Sequence, residues 1–398
     1  MSNEEEQRKG SLIPSGKPEI EKYSSGLINR GLELVKIIHQ EICLYPIILE
    51  GKFGYIDKRG KVIIRPQFYE ACRFSGGLAR VRMSDKWAYI DKAGKVIFSV
   101  SLENGSLAVS FEEGMAYFKV ADKFEFIAKS GEIISPQFDG TLGFNEGFAP
   151  VRVPVRVNDK FGYIDKTGKV VIDLKFDFAD RFSEGLAAVN IGGKWVKDED
   201  YPEGGRWGYI EKTGKFVVNP QFDWASRFCE GLANVSKQGV EGYVGKTGGI
   251  VLDYSFVIAG DFSEGLADVW IEIDDKLGCK WGYINRTRGI VITPKFDYAV
   301  PFSEGLAGVM IKDKWGYINK IGEFVINTVF DYTSCFKEGM AVVKINRKYG
   351  YIDRRGNMIV GPKFDDAGPL IEGLASVVVG GKKGYIDRLG NYIWEPTS

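Results

Sequence analysis

A seven-residue sequence, KWGYINK at Lys314–Lys320, recurs with small changes along the chain and limits what the chain can fold into. Close relatives are GKFGYIDK from Gly51, DKFGYIDK from Asp159, RWGYIEK from Arg206 and RKYGYIDR from Arg347. Aligning the central aromatic residue gives ten copies: Tyr55, Tyr89, Phe126, Tyr163, Tyr209, Tyr243, Tyr283, Tyr317, Tyr351 and Tyr385. The commonest spacing is 34 residues, a length at which one unit cannot bury its own apolar face. The repeat therefore predicts a tandem array whose units provide one another's core.

Each unit has the pattern of three short antiparallel strands. In WGYID the side chains alternate between two faces, and DKTG at Asp165–Gly168 is a tight-turn sequence followed by an apolar run. The third strand is LAxV, part of a second landmark, EGLA or a close variant, which occurs nine times. The segment PxFDxAxxFSEG then crosses to the next unit. We expect its phenylalanines to pack between neighbouring sheets and its glutamates to accept backbone N–H bonds at the turn into LAxV.

A glycine occupies eight of the ten positions directly before the aligned aromatic residue. Glycine inside a strand costs about 0.5 to 1 kcal/mol relative to alanine, so a repeated glycine needs a repeated benefit. We expect a ring or backbone of the adjacent unit to pack on each bare position. Ala88 and Glu125 are the exceptions, and they predict that the second and third units are the least regular part of the array.

Ten in-register copies of this unit resemble the WG-repeat family, bacterial proteins built on tandem Trp-Gly repeats. The resemblance covers about residues 45 to 396. It implies a β-rich, propeller-like repeat array that binds partners, and the family has no generally assigned activity.

The units can be arranged in two ways. Tyr45–Leu49 can serve the first unit as its LAxV strand, and the last unit ends near residue 396, so each terminal unit can complete itself. This favours an all-β array over residues 44–398, in which about ten three-stranded meanders stack as an open or superhelical arc. The alternative is a closed β-propeller.

Residues 1–43 lie outside the repeat and are predicted to form a polar tail plus a short amphipathic helix. The helix begins near Ser24 or Ser25, and its apolar stripe comprises Ile28, Leu32, Val35, Ile38 and Ile42. We expect this helix to cover an open end of the array or to dock onto another protein.

Composition excludes several classes of function. The chain has 53 basic and 53 acidic residues, which removes the electrostatic attraction that most nucleic-acid binding needs. It has no apolar run approaching twenty residues and a polar N-terminus without the order of a secretory signal, so we expect a cytoplasmic protein that is not in a membrane. The five cysteines are scattered, and His39 is the single histidine. No cofactor, zinc site or histidine-based catalytic site is predicted, and we expect no enzyme activity.

Insertions mark the candidate binding surface. The link between LAxV and the next WGYID is lengthened before Phe161, Trp207 and Trp281, and the two longer insertions are Gly192–Gly205 and Ile271–Lys280. Loops that enter at one corner of a repeat project from one edge of the array, where partners often bind. The candidate partner-binding residues are Trp195, Asp198, Glu199, Asp200, Tyr201, Asp274 and Asp275. Neither insertion has the spacing of a calcium loop, and the plainer alternative is a pair of solvated loop tips.

Aromatic side chains beside acidic ones suit a basic or extended peptide. The predicted function is therefore a non-enzymatic scaffold that presents these loops to a protein or peptide partner. A carbohydrate- or cell-wall-binding module is the alternative, because aromatic-Gly-aromatic strands also occur in wall-binding repeats. The sequence points to no particular oligomeric state.

Overall fold

The computed structural model describes residues 43–101, 111–120, 123–153, 160–194, 201–274, 278–287 and 289–397. These residues belong to one compact unit, which extends from residue 43 to residue 398. Every regular element of this described part is a β-strand. The predicted N-terminal helix and His39 lie outside the described residues.

The strands group into ten antiparallel sheets, called blades 1 to 10 in chain order. Blades 1 to 3 comprise β1 (Tyr45–Leu49), β2 (Lys52–Ile56), β3 (Val62–Phe68); β4 (Glu70–Ala71), β5 (Ala79–Arg82), β6 (Lys86–Ile90), β7 (Val96–Ser101); and β8 (Met115–Val120), β9 (Lys123–Ala128), β10 (Ile133–Phe138). Blades 4 to 6 comprise β11 (Gly140–Thr141), β12 (Phe148–Val153), β13 (Lys160–Asp165), β14 (Val170–Phe176); β15 (Phe178–Ala179), β16 (Leu186–Lys194), β17 (Glu203–Glu211), β18 (Phe216–Phe222); and β19 (Trp224–Ala225), β20 (Leu232–Lys237), β21 (Val240–Gly245), β22 (Ile250–Phe256).

Blades 7 and 8 comprise β23 (Ile258–Ala259), β24 (Leu266–Asp274), β25 (Gly278–Asn285), β26 (Ile290–Phe296); and β27 (Tyr298–Ala299), β28 (Ala307–Ile311), β29 (Lys314–Ile318), β30 (Phe324–Phe330). Blades 9 and 10 comprise β31 (Tyr332–Thr333), β32 (Met340–Ile345), β33 (Lys348–Asp353), β34 (Met358–Phe364); and β35 (Asp366–Ile371), β36 (Leu374–Val379), β37 (Lys382–Ile386), β38 (Tyr392–Thr397).

The repeating blade has four strands, one more than the sequence predicts. The additional strand comes first and is usually two residues long, as in Phe178–Ala179, which pairs with Asn190 and Val189 of the second strand. It lies within the FDxA segment that was expected to be only a crossover. LAxV is the second strand, WGYID the third and the apolar run after the turn the fourth. In the described residues, blades 1 and 3 contain only these last three strands.

The core lies between the blades, which confirms that each unit takes its interior from its neighbour. One cluster combines Tyr243 and Leu252 of blade 6 with Phe262 and Val269 of blade 7. The phenylalanine before each Glu-Gly turn packs on the tyrosine of the preceding blade, as expected. Ring centroids are 4.7 to 5.0 Å apart in the pairs Tyr55–Phe74, Tyr163–Phe182, Tyr209–Phe228, Tyr243–Phe262, Tyr283–Phe302 and Tyr317–Phe336.

Blade 10 packs against blade 1, so the array closes into a ring. Tyr45 and Ile47 of blade 1 share a buried cluster with Leu374 and Tyr385 of blade 10. The Tyr385 hydroxyl donates a 2.8 Å hydrogen bond to the carbonyl oxygen of Pro46. The chain is therefore a ten-bladed β-propeller, which confirms the closed alternative and shows that the favoured open arc was wrong. The arc was favoured because each terminal unit is complete, yet a complete unit still has an apolar face to bury.

The repeated glycine faces backbone, but that backbone belongs to its own blade and not to the adjacent one. Trp315 pairs with Phe330 and Tyr317 with Ile326, so a step of two residues on the third strand is opposed by a step of four on the fourth. This bulge folds over Gly316, where a Cβ atom would lie 2.5 Å from the Ile326 carbonyl oxygen. At Gly316 the bare position thus accommodates a tight β-bulge, a common partner of glycine in strands.

Blade 2 has neither the glycine nor the bulge. Ala88 replaces the glycine there, and its fourth strand pairs one-to-one, with Ala88 opposite Ser99 and no bulge at that point. Blade 3 keeps a bulge opposite Glu125, whose carboxylate accepts a hydrogen bond from the Gln137 amide. Blade 2 thus has alanine and no bulge at this position, whereas blade 3 forms the bulge with a residue that has a Cβ atom, so glycine favours the bulge without being indispensable to it.

Candidate functional site

The two ends of the strands form two chemically different faces of the ring. Leu186, at the start of a second strand, pairs with Glu211, at the end of the third, so the Glu-Gly turns and the DKTG hairpins share one face, here called the turn face. The links between second and third strands lie at the opposite end, here called the insert face. Both inserted hairpins therefore project from the insert face.

Glutamates connect neighbouring blades on the turn face. The Glu230 carboxylate accepts backbone N–H bonds of 2.8 Å from Glu264 and 2.9 Å from Gly265 in the next blade. Burial favours a higher pKa for Glu230, but these bonds and the Arg286 guanidinium outweigh it and hold the pKa below its ordinary value. Equivalent bonds are made by Glu113, Glu146, Glu184, Glu264, Glu304 and Glu338. The predicted acceptor role is confirmed, with the donors located in the following blade.

Aspartates connect neighbouring blades on the insert face, a role that was not predicted. Asp177 of the FDxA segment forms an ion pair with Lys160 of the preceding blade and accepts a 2.7 Å bond from the Gly192 N–H at the base of the long insert. The same two bonds are made by Asp223, Asp297, Asp331 and Asp365. The recurrence of these aspartates in the FDxA segments is the sequence signal from which this structural role could have been predicted.

The structure describes part of the predicted binding surface. Trp195, Asp198, Glu199, Asp200 and Asp275 lie outside the described residues. Tyr201 is exposed at one edge and packs on Phe178 and Trp207, with ring centroids 5.1 and 6.3 Å away. Asp274 continues the second strand of blade 7, and its backbone pairs with Gly278.

A cavity of about 660 Å³ opens beside Tyr201. Equivalent positions of four successive blades line it, which places it on the inner side of the ring, where the blades converge. The lining residues are Leu142; Asp180, Arg181, Tyr201 and Trp207; Trp224, Ala225, Ser226 and Arg227; and Ala259, Gly260 and Asp261. The structure therefore brings Tyr201 to this site. Apart from Tyr201, none of these residues was predicted, although the positions between the conserved-looking Ala and Phe of the repeat vary from copy to copy.

Carboxylates dominate the charge around this cavity. Burial raises the pKa of Asp180, and Arg227 lies nearby, with 3.8 Å between its Nε and Asp180 Oδ2. Asp261 is open to solvent, but the surrounding concave wall removes enough water to raise its pKa as well. Behind the wall, burial raises the pKa of Asp268 to about 6. Arg181 is paired with Glu112 at 2.7 Å, so its charge is already compensated.

An exposed apolar arc runs from the cavity along the insert face. It consists of the first residue of the first strand in blades 6 to 9, Trp224, Ile258, Tyr298 and Tyr332, each 40 to 46% exposed. Tyr298 also packs between Trp281 and Trp315, with centroids 5.6 Å away on each side. In blades 10, 2 and 4 the same position holds Asp366, Glu70 and Gly140. The position is thus apolar in blades 5 to 9, where Phe178 of blade 5 is buried, and polar or small in blades 10, 2 and 4.

Neither a metal-ion cluster nor a membrane-spanning helix occurs in the described part of the chain. No group of three His, Cys, Asp or Glu side chains there is close enough to hold a metal ion. No helix among those residues is long and apolar enough to cross a membrane.

Comparison with solved structures shows the fold. A crystal structure of the eukaryotic initiation factor matches with a TM-score of 0.51 and 11% identity, covering 80% of this chain and 95% of that one. BamB from Moraxella catarrhalis matches with a TM-score of 0.33 and 12% identity, covering 79% and 92%. Apo AztD from Citrobacter koseri has the same score and identity, covering 80% and 92%. No curated protein sequence matches the chain.

The sequence model described as "WG containing repeat" matches eight segments of the chain. They are residues 53–87, 126–153, 161–195, 207–240, 242–272, 281–315, 315–349 and 349–382. These segments cover more than half of the chain, and each begins in the third strand of one blade and ends in the next blade. The chain belongs to the family of proteins built from WG-containing repeats.

Proposed function

We propose that this protein is a non-enzymatic scaffold that binds a protein partner across its insert face. The observation that carries the proposal is the position of Tyr201, which comes from the longest insert and forms part of the wall of the inner cavity. A partner that contacts the insert would therefore also reach the cavity, so loop and cavity act as one surface. Exposed aromatic rings next to a concave site are typical of protein interfaces.

The apolar arc extends this surface over blades 6 to 9. Four exposed apolar side chains at one repeated position serve no purpose that the other blades require, because those blades fold with Asp366, Glu70 or Gly140 there. The two inserts add acidic side chains, four against two basic ones in Gly192–Gly205 and three against two in Ile271–Lys280. The surface therefore favours a partner segment that is both apolar and basic.

The recurring polar groups support a non-enzymatic role. The Glu-Gly turns, the FDxA aspartates and the third-strand tyrosines bond to backbone groups of neighbouring blades, as Glu230, Asp177 and Tyr283 do. Such groups are committed to holding the ring together. A carbohydrate-binding role remains the second candidate because Trp281, Tyr298 and Trp315 form a partly exposed aromatic stack. Binding of the purified protein on a glycan array would favour that role.

Quantitative affinity capture from the native cell extract tests the proposal. Lys194 and Glu203 are paired across the long hairpin, so residues 195–202 can be replaced by Asn-Gly while the strands keep their register. A second variant, Tyr298→Ser with Tyr332→Ser, removes two members of the apolar arc. The matched control is Ile321→Ser, which removes an exposed apolar side chain from the turn face.

We expect one partner to be recovered equally by the wild type and by Ile321→Ser. Recovery by the two insert-face variants should fall at least about tenfold, as for loss of one interface hot spot. Melting temperatures of all four proteins establish that each is folded. Undiminished recovery by both insert-face variants would reject this surface as the binding site.

A further inference from the structure

We infer that the cavity beside Tyr201 is a cation site that takes an arginine or lysine side chain of the protein partner. The inference rests on the proposed function and adds the chemical group that the site recognises. It is drawn from the charges, the unpartnered carboxylate and the aromatic rings around the cavity.

The charges at the cavity do not balance. Asp180, Asp261 and Asp268 are three carboxylates. Of the two arginines described in the cavity wall, Arg181 is held by Glu112, which leaves Arg227 to balance them. Arg227 interacts with both Asp180 and Asp261. Among the described residues no basic side chain forms a salt bridge with Asp261 or Asp268. An additional positive charge would therefore be stabilised here, and an additional negative charge would be repelled.

Asp268 is the carboxylate of this site that most lacks a compensating donor or cation. Its side chain is 6% exposed, and its Oδ1 is buried without a hydrogen-bond partner in the described part of the chain. The carboxylate lies directly against Gly260 of the cavity wall, where a Cβ atom would be 2.6 Å from Oδ1. The titratable groups that interact with it are those of Asp261, Tyr243, Tyr283 and Cys335, none of them basic. A buried carboxylate without a partner is costly, and a nearby cation lowers that cost.

The aromatic side chains of the wall select the kind of cation. Trp224 and Tyr201 line the cavity and remain 40% and 52% exposed, so parts of their rings are available. Guanidinium and ammonium groups stack on such rings, and guanidinium also binds carboxylates through paired N–H donors. A volume of about 660 Å³ admits a long side chain together with part of its backbone. The geometry thus fits a Lys or Arg side chain that enters from the insert face.

Titration with capped tetra-arginine peptide, followed by calorimetry and tryptophan fluorescence, tests the inference on the full chain. Asp261→Asn removes one carboxylate at an exposed position. Arg227→Gln removes the competing guanidinium, whose side chain is 56% exposed, so the ring should tolerate the change. Asp313→Asn is the matched control, an exposed aspartate at another hairpin tip of the insert face. Capped tetra-glutamate and free arginine are the ligand controls.

We expect Asp261→Asn to raise the Kd for tetra-arginine at least about fivefold, the loss of one charge-assisted contact, and Asp313→Asn to leave it unchanged. Arg227→Gln should lower the Kd severalfold. A gain of binding cannot arise from a damaged fold, so this variant keeps the test decisive. An unchanged Kd in Asp261→Asn, a weaker one in Arg227→Gln or equal binding of tetra-glutamate would overturn the inference.

Free arginine that bound as tightly as the peptide would overturn the assignment to a protein side chain. The result is separable from the proposed function. If partner capture depends on the insert face while tetra-arginine binding ignores Asp261 and Arg227, the cation site alone is rejected. If capture ignores the insert face while both substitutions act as expected, the scaffold surface is the part that fails.

Discussion

The third-strand tyrosine is the side chain that joins one blade to the next. Its ring is buried against the phenylalanine of the following blade, and its hydroxyl donates to a carbonyl oxygen of that blade, 17 residues later, as in Tyr283 to Val300 at 2.8 Å. Equivalent bonds run from Tyr55, Tyr163, Tyr209, Tyr243, Tyr317 and Tyr351. Burial raises the pKa of each of these phenols, so they remain neutral donors at any physiological pH.

The glycine beside this tyrosine gives the first prediction. Gly316→Ala would place Cβ 2.5 Å from the Ile326 carbonyl oxygen and 2.7 Å from the Asn327 carbonyl carbon, so backbone must move. We expect the free energy of unfolding to fall by at least about 2 kcal/mol. Gly361→Ala is the matched control, because it lies in the fourth strand of a neighbouring blade with nothing within 4 Å of its Cβ position. Alanine there should be neutral or stabilise by about 0.5 to 1 kcal/mol.

Denaturant unfolding of both variants measures the difference. Equal effects of the two substitutions would show that the bulge does not require glycine.

The second prediction concerns Asp268 and pH. Burial raises its pKa from 3.8 to about 6 in the folded chain, so the folded state binds the proton more tightly than the unfolded state. The free energy of unfolding therefore falls as pH rises from about 4 to about 6, by up to about 3 kcal/mol from this group. Asp268→Asn should abolish that loss and be more stable than the wild type at pH 7.

The glutamates of the turn face have the opposite effect on the pH dependence of the free energy of unfolding. Their pKa values are lowered by the bonds they accept, despite burial, so their contribution is lost as pH falls below about 4.5 in both proteins. Unfolding free energies from pH 3 to pH 8 check the prediction, with Asp313→Asn as the control that should follow the wild-type curve. Parallel curves for Asp268→Asn and the wild type would show that Asp268 does not titrate in this window.

At the scale of the element, the sequence predicts what local chemistry determines. The sequence predicts three of the four strands, the turn at Asp165–Gly168 and the packing of Phe182, because each of these features leaves a signal within a few residues. The first strand could not, since Phe178–Ala179 is too short to show alternation. The bulge over Gly316 was also missed, because two extra residues in the fourth strand show only in the pairing.

The candidate site likewise contains some residues that the sequence predicts and others that it does not. The inserts were visible as added residues, and Tyr201 is the predicted residue that the described structure brings to the cavity. Asp180, Arg227 and Asp261 come from three successive blades, and only the packing of those blades side by side brings them together. The sequence shows that these positions vary from copy to copy. It does not show that the variable side chains meet at one cavity.

At the scale of the whole molecule, the question is how the ring closes without a strand shared between its ends. Blade 10 takes all four strands from the last units of the chain, and β1 provides the second strand of blade 1. The seam is made by side chains, through the cluster of Tyr45, Ile47, Leu374 and Tyr385. The Tyr45 hydroxyl adds a 2.7 Å bond to the Glu372 carbonyl oxygen. The seam thus uses the same kinds of contact as the other boundaries between blades.

If the seam is an ordinary boundary, equivalent substitutions at the seam and elsewhere should have equal effects. Tyr385→Phe removes the bond to Pro46 across the seam, and Tyr283→Phe removes the bond to Val300 within the ring, both 2.8 Å long and fully buried at the ring. Each leaves a carbonyl oxygen without its donor, and we expect each to lower the free energy of unfolding by about 1 to 2 kcal/mol. In an open arc Tyr385 would face solvent, and its hydroxyl would be dispensable. A silent Tyr385→Phe beside a destabilising Tyr283→Phe, measured by denaturant unfolding, would therefore contradict the closed propeller.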